Sequence, residues 1–346
     1  MVFYKKKVLV GMSGGVDSSV AALLLKKSGF EVAGAYMKCW DYEAPECTGS
    51  EDERLARITA SFIKIPFYVF DFQKDYKKKV FSYFLKEQKA GRTPNPDVMC
   101  NRFIKFGLFL KKAKDLGFDF IATGHYARIS NGKLLKGKDK NKDQSYFLAF
   151  IKPNSLKKVI FPLGNYTKIQ VRKIAEKAKL PTAFKPDSQG ICFIGEVKME
   201  NFLKKYLKQK IGPIVDESGK VIGKHKGVWF YTIGQRRGIE LSQGPYYVLQ
   251  KNFKKNILVV TKDEKKLFKK ELIAKKINWL CKDLNNSLPL RVSVMIRYRQ
   301  KPTLATLFYN KTARIIFDKP QRAITPGQIV AFYKRERLLG GGIIVA

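Results

Sequence analysis

Three features of this sequence predict an α/β protein with a parallel sheet, followed by a small β module and a C-terminal β-barrel. Strand-like and helix-like segments alternate from residue 8 to about residue 125. A glycine- and serine-rich turn, Gly11-Met-Ser-Gly-Gly-Val-Asp-Ser-Ser19, follows the first strand. Beyond about residue 210 the hydrophobic period changes from that of a helix to two.

The elements follow in order. Residues 8–12 read as a short apolar strand, 18–27 as a helix, 31–37 as a second strand, 50–63 as a helix and 67–70 as a third strand. Helices are expected over 75–90 and over 101–116, where Phe103, Phe106, Leu110 and Ala113 recur at helical spacing, and a strand over 120–123. Repeated β-α units imply a parallel sheet covered on both faces. Two more helices are expected. In 167–179 the apolar face is Val171, Ile174, Ala175 and Ala178; in 197–208 it is Met199, Phe202, Leu203 and Tyr206, and Gly212-Pro213 ends the run. In 291–299, Val292, Val294, Ile296 and Tyr298 oppose Arg291, Arg297 and Arg299, the pattern of a strand with one apolar and one basic face. These shifts divide the chain into an α/β domain over 1–205, a β-rich module over 206–268 and a barrel over 269–346. Residues 251–276 hold ten lysines against three acids and read as a solvated connector or an RNA-facing surface.

Composition narrows the function. The chain carries 68 lysines and arginines against 29 acids, a net charge of +39. Such a surface attracts polyanions, RNA foremost, although lysines that merely fill solvated faces give the same count. The five cysteines are odd in number and form no C-x-x-C pair, which argues against a disulfide framework, a zinc ribbon or a ligated cluster. Two histidines are too few for a multi-histidine metal site, and they disfavour a Ser-His or Cys-His hydrolase. No apolar run approaches the roughly 18 residues of a membrane helix. The first strand begins within seven residues of Met1, leaving no room for a signal peptide, so a cytoplasmic protein is expected.

Three segments carry chemistry. The turn at 11–19 offers backbone N–H groups, the hydroxyls of Ser13, Ser18 and Ser19, and a helix N-terminus, which together make an anion cradle. It matches neither a Walker A pattern nor G-x-G-x-x-G. In Arg92-Thr-Pro-Asn-Pro-Asp-Val-Met-Cys-Asn101 a proline-rich loop runs into a helix, placing Cys100 near a helix N-terminus. There the dipole is expected to lower the thiol pKa from about 8.5. Asp97 is a candidate proton-transfer group, and Arg102, Lys105 and Lys112 share the polar face of the helix that follows. A buried structural cysteine after a rigid turn is the competing reading. The third segment, Asp187-Ser-Gln-Gly-Ile-Cys-Phe-Ile-Gly195, sets Cys192 between glycines and apolar residues.

Taken together, G-M-S-G-G-V-D-S, G-R-T-P-N-P-D-V-M-C-N, A-T-G-H-Y-A-R, K-D-Q-S-Y-F-L, D-S-Q-G-I-C-F-I-G, Y-T-I-G-Q-R and a terminal L-G-G-G-I-I occur in that order. The turn resembles the PP-loop of the ATP pyrophosphatases (adenine nucleotide α-hydrolase-like domains). The whole series resembles the bacterial tRNA-specific 2-thiouridylase family over nearly the full length. The resemblance implies that Gly11, Met12, Ser13, Gly14, Gly15, Val16, Asp17 and Ser18 bind ATP, with Mg²⁺ helped by Asp17, and that Met37 and Gly124 line the nucleotide pocket. Asn95, Pro96 and Asp97 would surround the target base. Cys100 matches the catalytic nucleophile and Cys192 the persulfide carrier. His125, Lys142, Asp143 and Gln144, with Arg297, Tyr298 and Gln328 of the barrel, match tRNA contacts. The expected reaction places AMP on the C2 oxygen of a wobble uridine and then replaces that oxygen with sulfur, releasing AMP and pyrophosphate. Its partners are tRNA and a sulfur-donor protein, a cysteine desulfurase or a relay protein; no resident metal and no membrane contact are expected. Two departures stand out: Cys39 where relatives usually carry Asn, and Gln189 where they carry Thr. An amidating synthetase would share the turn but has no need of the two cysteines, and a non-catalytic RNA-binding protein has no need of either.

Overall fold

The computed structural model describes residues 5–41, 49–187, 190, 192–195, 199–242, 244–281 and 289–346; Cys47 and Gln189 lie outside them. The first sheet is parallel throughout, in the order β3-β2-β1-β4-β7, with β1 (Lys7–Gly11), β2 (Glu31–Lys38), β3 (Phe67–Asp71), β4 (Phe120–Thr123) and β7 (Val159–Ile160). Val8, Leu9 and Val10 of the central strand are fully buried, as an unbroken apolar run between two helical layers requires. Helix α1 (Val16–Lys27) leaves β1 and the chain goes on to β2 on one side, whereas β4 flanks β1 on the other. The carboxyl ends of β1 and β4 therefore border the topological switch point, the usual ligand crevice of such sheets.

Helix α2 (Gly49–Phe62) precedes β3. The two helical runs expected next are longer and less regular than their spacing suggests. The first comprises α3 (Gln73–Tyr76), a π-helical stretch Lys77–Phe81 and α4 (Ser82–Lys89). The second comprises α5 (Pro96–Cys100), a π-helical stretch Asn101–Phe109 and α6 (Leu110–Asp115). This run starts five residues earlier than expected, because Asn95 caps it (its Oδ1 accepts from Val98 N at 3.2 Å) and Pro96 occupies the first turn. Gly107 suits the widened turn: a β carbon there would stand 2.9 Å from Arg102 O.

A hairpin that the periodicity does not reveal follows β4. Its strands, β5 (Ala127–Ser130) and β6 (Lys133–Lys136), leave the α/β domain and join the barrel, with Leu135 opposite Arg337. Helix α7 (Lys168–Lys177) carries a full capping box between Thr167 and Gln170, and α8 (Met199–Lys204) ends the domain. The module is a sheet of order β10-β11-β8-β9, formed by β8 (Gly212–Val215), β9 (Val221–His225), β10 (Tyr247–Asn252) and β11 (Ile257–Thr261). The barrel strands are β12 (Phe268–Trp279), β13 (Leu290–Met295), β14 (Thr303–Asn310), β15 (Thr312–Arg322), β16 (Ile329–Lys334) and β17 (Arg337–Ile344). They run β12-β15-β14-β13-β16-β17 and close through β12 on β17.

Two expectations need correction. Of the two readings of residues 251–276 the connector is the one that fails: they supply most of the β10–β11 hairpin and the first barrel strand, and all their lysines but the half-buried Lys251 are exposed. The strand expected over 291–299 stops at Met295, and Arg297, Tyr298 and Arg299 lie in the following turn, where Arg299 adopts φ 63°.

Candidate active site

Cys100 and Cys192 meet although 92 residues separate them: their sulfurs lie 3.7 Å apart, and both are free thiols. Helix α5 fixes the first. The second is held by its own backbone, since Cys192 N donates to Asp97 Oδ1 at 3.0 Å and Cys192 O accepts from Tyr76 Oη at 2.8 Å. Tyr76 also meets the Phe193 ring edge-on at 6.0 Å. One carboxyl and one phenol thus aim the sulfur-bearing segment at Cys100.

The charge does not lie where the helix dipole alone would put it. Cys100 is fully buried, and burial, followed by its hydrogen bond to Cys192, pushes its pKa well up. The pKa of Cys192 is lowered, first because it accepts the Cys100 S–H and then, against burial, because Lys105 lies nearby. The expectation of an acidified Cys100 is therefore overturned: desolvation of a fully enclosed thiol outweighs a half-charge at a helix end, and of the two thiols it is Cys192 whose pKa is lowered. Burial raises the Asp97 carboxyl, opposed by the Cys192 N–H and by Lys105.

A second site lies at the switch point. Gly15 is the N-cap of α1 and supplies no side-chain cap, so the first turn keeps free donors. The serine hydroxyls are used differently from expectation. Ser18 Oγ and Ser19 Oγ both turn inward and donate to Gly15 O, at 3.0 and 2.9 Å, while Ser13 N donates to Ser18 Oγ at 3.1 Å. They shape the cradle instead of lining it. Gly124, just after β4, presses against it: a β carbon there would stand 2.8 Å from Asp17 C and from Ser18 N. Met37 is buried, and its Cε would lie 3.0 Å from a β carbon at Gly11. Asp17 Oδ1 accepts from Tyr126 Oη and from Lys168 Nζ, each at 2.7 Å, and Lys168 also pairs with Asp187 at 2.8 Å. A bare backbone turn, uncapped donors and a cation beside Asp17 fit a polyphosphate.

Asn95, Pro96 and Asp97 border a cavity of about 300 Å³ whose wall includes Phe84, Gln88, Trp229 and Phe230. The residues matched to tRNA contacts are spread more widely. His125 is buried between Phe106 and Phe161, with Nδ1 2.7 Å from Thr123 Oγ1; burial first and Lys105 second push its pKa well down. Lys142 pairs with Asp187. Asp143 accepts from Gly137 N at 2.9 Å and from Ser145 N at 3.1 Å, and Gln144 Oε1 accepts from Tyr126 N at 3.1 Å. Arg297 donates to the carbonyls of Arg322 and Ala323, and Tyr298 packs on Phe147 at 4.4 Å. Gln328 Nε2 donates to Thr93 O at 2.9 Å and Pro94 O at 3.4 Å, in the loop that leads to Cys100. Sequence reasoning gave no role to Tyr76, Lys168, Trp229 or Phe230. Only Trp229-Phe230, beside Y-T-I-G-Q-R, left a local signal in the form of an aromatic pair.

Among the described residues no helix is long and apolar enough to cross a membrane, and no three His, Cys, Asp or Glu side chains are grouped to hold a metal ion.

The architecture is that of a PP-loop-type α/β domain bearing a small β module and a closed six-stranded barrel. Residues 6–196 match the tRNA methyl transferase HUP domain, 200–262 the tRNA methyl transferase PRC-barrel domain and 269–344 the aminomethyltransferase beta-barrel domain. The tRNA-specific 2-thiouridylase MnmA of Lactobacillus gasseri is 48% identical over 98% of this chain and 95% of its own length. The tRNA-specific 2-thiouridylase MnmA 2 of Geobacillus kaustophilus is 48% identical over 99% and 95%. The chain belongs to the tRNA-specific 2-thiouridylase (MnmA) family. The solved U34-tRNA thiolase NcsA of Methanococcus maripaludis aligns with 59% of this chain and 69% of its own at 21% identity, with a TM-score of 0.38.

Proposed function

We propose that this protein makes 2-thiouridine at the wobble position of tRNA, using ATP to activate the base and the Cys100–Cys192 pair to deliver sulfur. The observation that carries the reading is the 3.7 Å approach of two free thiols from segments 92 residues apart, beside a carboxyl that holds one of them. A packing role needs no second sulfur at that distance.

The uracil C2 carbonyl is a poor electrophile because its oxygen leaves badly. ATP would convert that oxygen into part of a good leaving group by transferring AMP to it, with pyrophosphate departing. The turn at 11–18 and Lys168 would hold the polyphosphate, with Asp17 placed to assist Mg²⁺. Asn95, Pro96 and Asp97, with the aromatic wall of Trp229 and Phe230, would seat the base. The Cys192 thiolate attacks the outer sulfur of a protein persulfide; the donor's S–S bond breaks and the donor leaves as a thiolate. In one route the terminal sulfur on Cys192 attacks C2 and AMP departs. Cys100, giving up its proton, then attacks Cys192 Sγ and leaves the sulfur on the uridine. In the other route Cys100 attacks first and frees sulfide, which attacks C2. Both end in a Cys100–Cys192 disulfide, which a reductant must reopen. The module and barrel, with the strongly basic surface, would bind the tRNA.

Nucleoside mass spectrometry of tRNA after reaction tests the reading. Cys100→Ser and Cys192→Ser should each abolish thiolation in folded protein, while Cys39→Ser and Cys281→Ser remain active. Loss of an essential nucleophile costs orders of magnitude in rate, far beyond a packing change. Normal thiolation by either of the first two variants would sink the two-cysteine mechanism. ADP and phosphate as main products, in place of AMP and pyrophosphate, would sink the activation step.

A further inference from the structure

The two-cysteine reading leaves one charged residue beside the sulfurs without a role. Lys105 lies on the π-helical stretch Asn101–Phe109, five residues beyond Cys100. On an α-helix of 3.6 residues per turn, five residues rotate by about 500°, leaving side chains roughly 140° apart. A π-helical stretch bonds residue i to i+5, so residues five apart come close to one face. The widened turn thus brings Lys105, half-buried, closer to the face of Cys100 than α-helical counting allows, which would set it beside Arg102 and Lys112. Its ammonium lies 5.5 Å from the centroid of Phe193, the neighbour of Cys192.

The titratable groups facing this pocket come from five elements. Cys100 and Asp97 stand on α5, Cys192 on its own segment, Tyr76 on α3, Cys39 just after β2 and His125 just after β4. Burial holds Cys100, Cys39 and Tyr76 in their protonated forms and His125 in its neutral form. Lys105 is the cation among them, and Cys192 and Asp97 are the groups left to balance it.

We propose that Lys105 is the positioning residue of sulfur transfer: its ammonium keeps the negative charge on Cys192, so that Cys192 and not Cys100 is the thiolate of the resting enzyme. Burial alone would discharge this lysine, yet the two thiols and Asp97 outweigh it and hold the ammonium charged. The arrangement orders the chemistry. Cys192 is ready to take the outer sulfur of a donor's persulfide. Cys100 keeps its proton, so it does not break the Cys192 persulfide and release sulfide before the uridine has been activated.

The inference rests on the two-cysteine reading, and its test is separable from it. The full-length wild type, Lys105→Met, Lys105→Gln and Lys105→Arg are alkylated with iodoacetamide under reductant across a pH series. Peptide mass spectrometry gives the rate at each cysteine, with Cys281 as internal reference. In the wild type, Cys192 should be alkylated before Cys100, with a midpoint below the roughly 8.5 of a free thiol. In Lys105→Met that midpoint should rise by about one unit or more, slowing alkylation at neutral pH about tenfold, and Lys105→Arg should restore most of the rate. Lys105→Gln should behave as Lys105→Met and serves if the latter does not fold. An unchanged Cys192 profile in the folded neutral variants, or Cys100 reacting first in the wild type, overturns the assignment. Thiolation by Cys192→Ser would instead sink the two-cysteine reading and leave the alkylation result standing.

Discussion

The nucleotide cradle can be probed by a single methyl group. At Gly15 the backbone is extended, with φ −96° and ψ 163°, so alanine fits there without strain. A β carbon at Gly15 would meet Ser13 Oγ at 3.6 Å, an ordinary van der Waals contact. Gly15→Ala should therefore leave folding stability within about 0.5 kcal/mol of wild type, or raise it slightly by restricting the unfolded chain. On the proposed reading, however, the methyl group would stand at the N-cap of α1, beside the first-turn N–H groups that a phosphate would approach. Overpacking of this kind costs about 1–3 kcal/mol, and 1.4 kcal/mol is tenfold in affinity, so ATP binding should weaken about 5- to 140-fold. Gly124→Ala is the structural counterpart. Its β carbon would clash with the backbone of Asp17 and Ser18 at 2.8 Å, so it should lower both stability and ATP affinity. Thermal melts and isothermal titration with ATP separate the two effects. A folded Gly15→Ala protein that binds ATP as tightly as wild type would refute phosphate binding on this turn.

Three further outcomes follow from the packing and charge. Both histidines are buried and their pKa values are depressed, His125 by burial and Lys105, and His225 by burial against its bond to Asn256 O. The unfolded chain takes up protons first as pH falls below about 6.5, so stability is lost on acidification, at up to about 1.4 kcal/mol per pH unit for each. Urea denaturation should show a fall of about 1–2 kcal/mol between about pH 6.5 and 5.5, and a flat profile there would contradict the assignment. Gly327→Ala should destabilise the protein by about 1–3 kcal/mol, because a β carbon there meets Thr93 N at 2.8 Å and φ is +95°; a calorimetric melt matching wild type would rule out this contact. Affinity for tRNA should fall steeply with salt, each neutralised phosphate releasing about one counterion, and Asp17→Ala should keep that affinity while losing thiolation. Salt-independent binding in a filter assay would remove the electrostatic basis of the tRNA reading.

The parallel sheet was legible because its strands are short apolar runs set between periodic helices, and the turn at 11–19 because the first strand ends there. What escaped is what depends on contact between distant segments. Nothing in the spacing around Cys192 indicates that its N–H reaches Asp97 Oδ1 at 3.0 Å; only the motif series brought the two cysteines together. Lys105 was assigned to a polar face because α-helical counting was applied to a stretch that is π-helical. The hairpin β5–β6 was hidden because each strand is four residues long, too short for a period of two to declare itself. The basic run at 251–276 misled because lysines clustered in the hairpin turn, in the 3-10 turn before the barrel and in adjacent pairs along β12 leave the same composition as a solvated linker.

That hairpin changes how the barrel's role is argued. Division of the chain into three modules suggests an arm that holds tRNA and could be removed without harming the chemistry. In the fold, β17 pairs with β6, Tyr146 Oη donates to Ile329 O at 2.8 Å, and Asn278 Nδ2 donates to Ala149 O and Ile151 O, each at 2.9 Å. The barrel turn at 326–328 then grips the loop before Cys100: Thr93 N donates to Pro326 O at 2.9 Å, and Gln328 Nε2 donates back to Thr93 O at the same distance. The segment that presents Asn95, Asp97 and Cys100 is thus supported from the barrel as well as by its own helix cap. A displacement of one ångström at reacting atoms can cost a hundredfold in rate. Contacts in the barrel can therefore tune the proposed chemistry at Cys100 without touching RNA, and a fall in thiolation in a barrel variant speaks to tRNA recognition only when tRNA affinity falls with it.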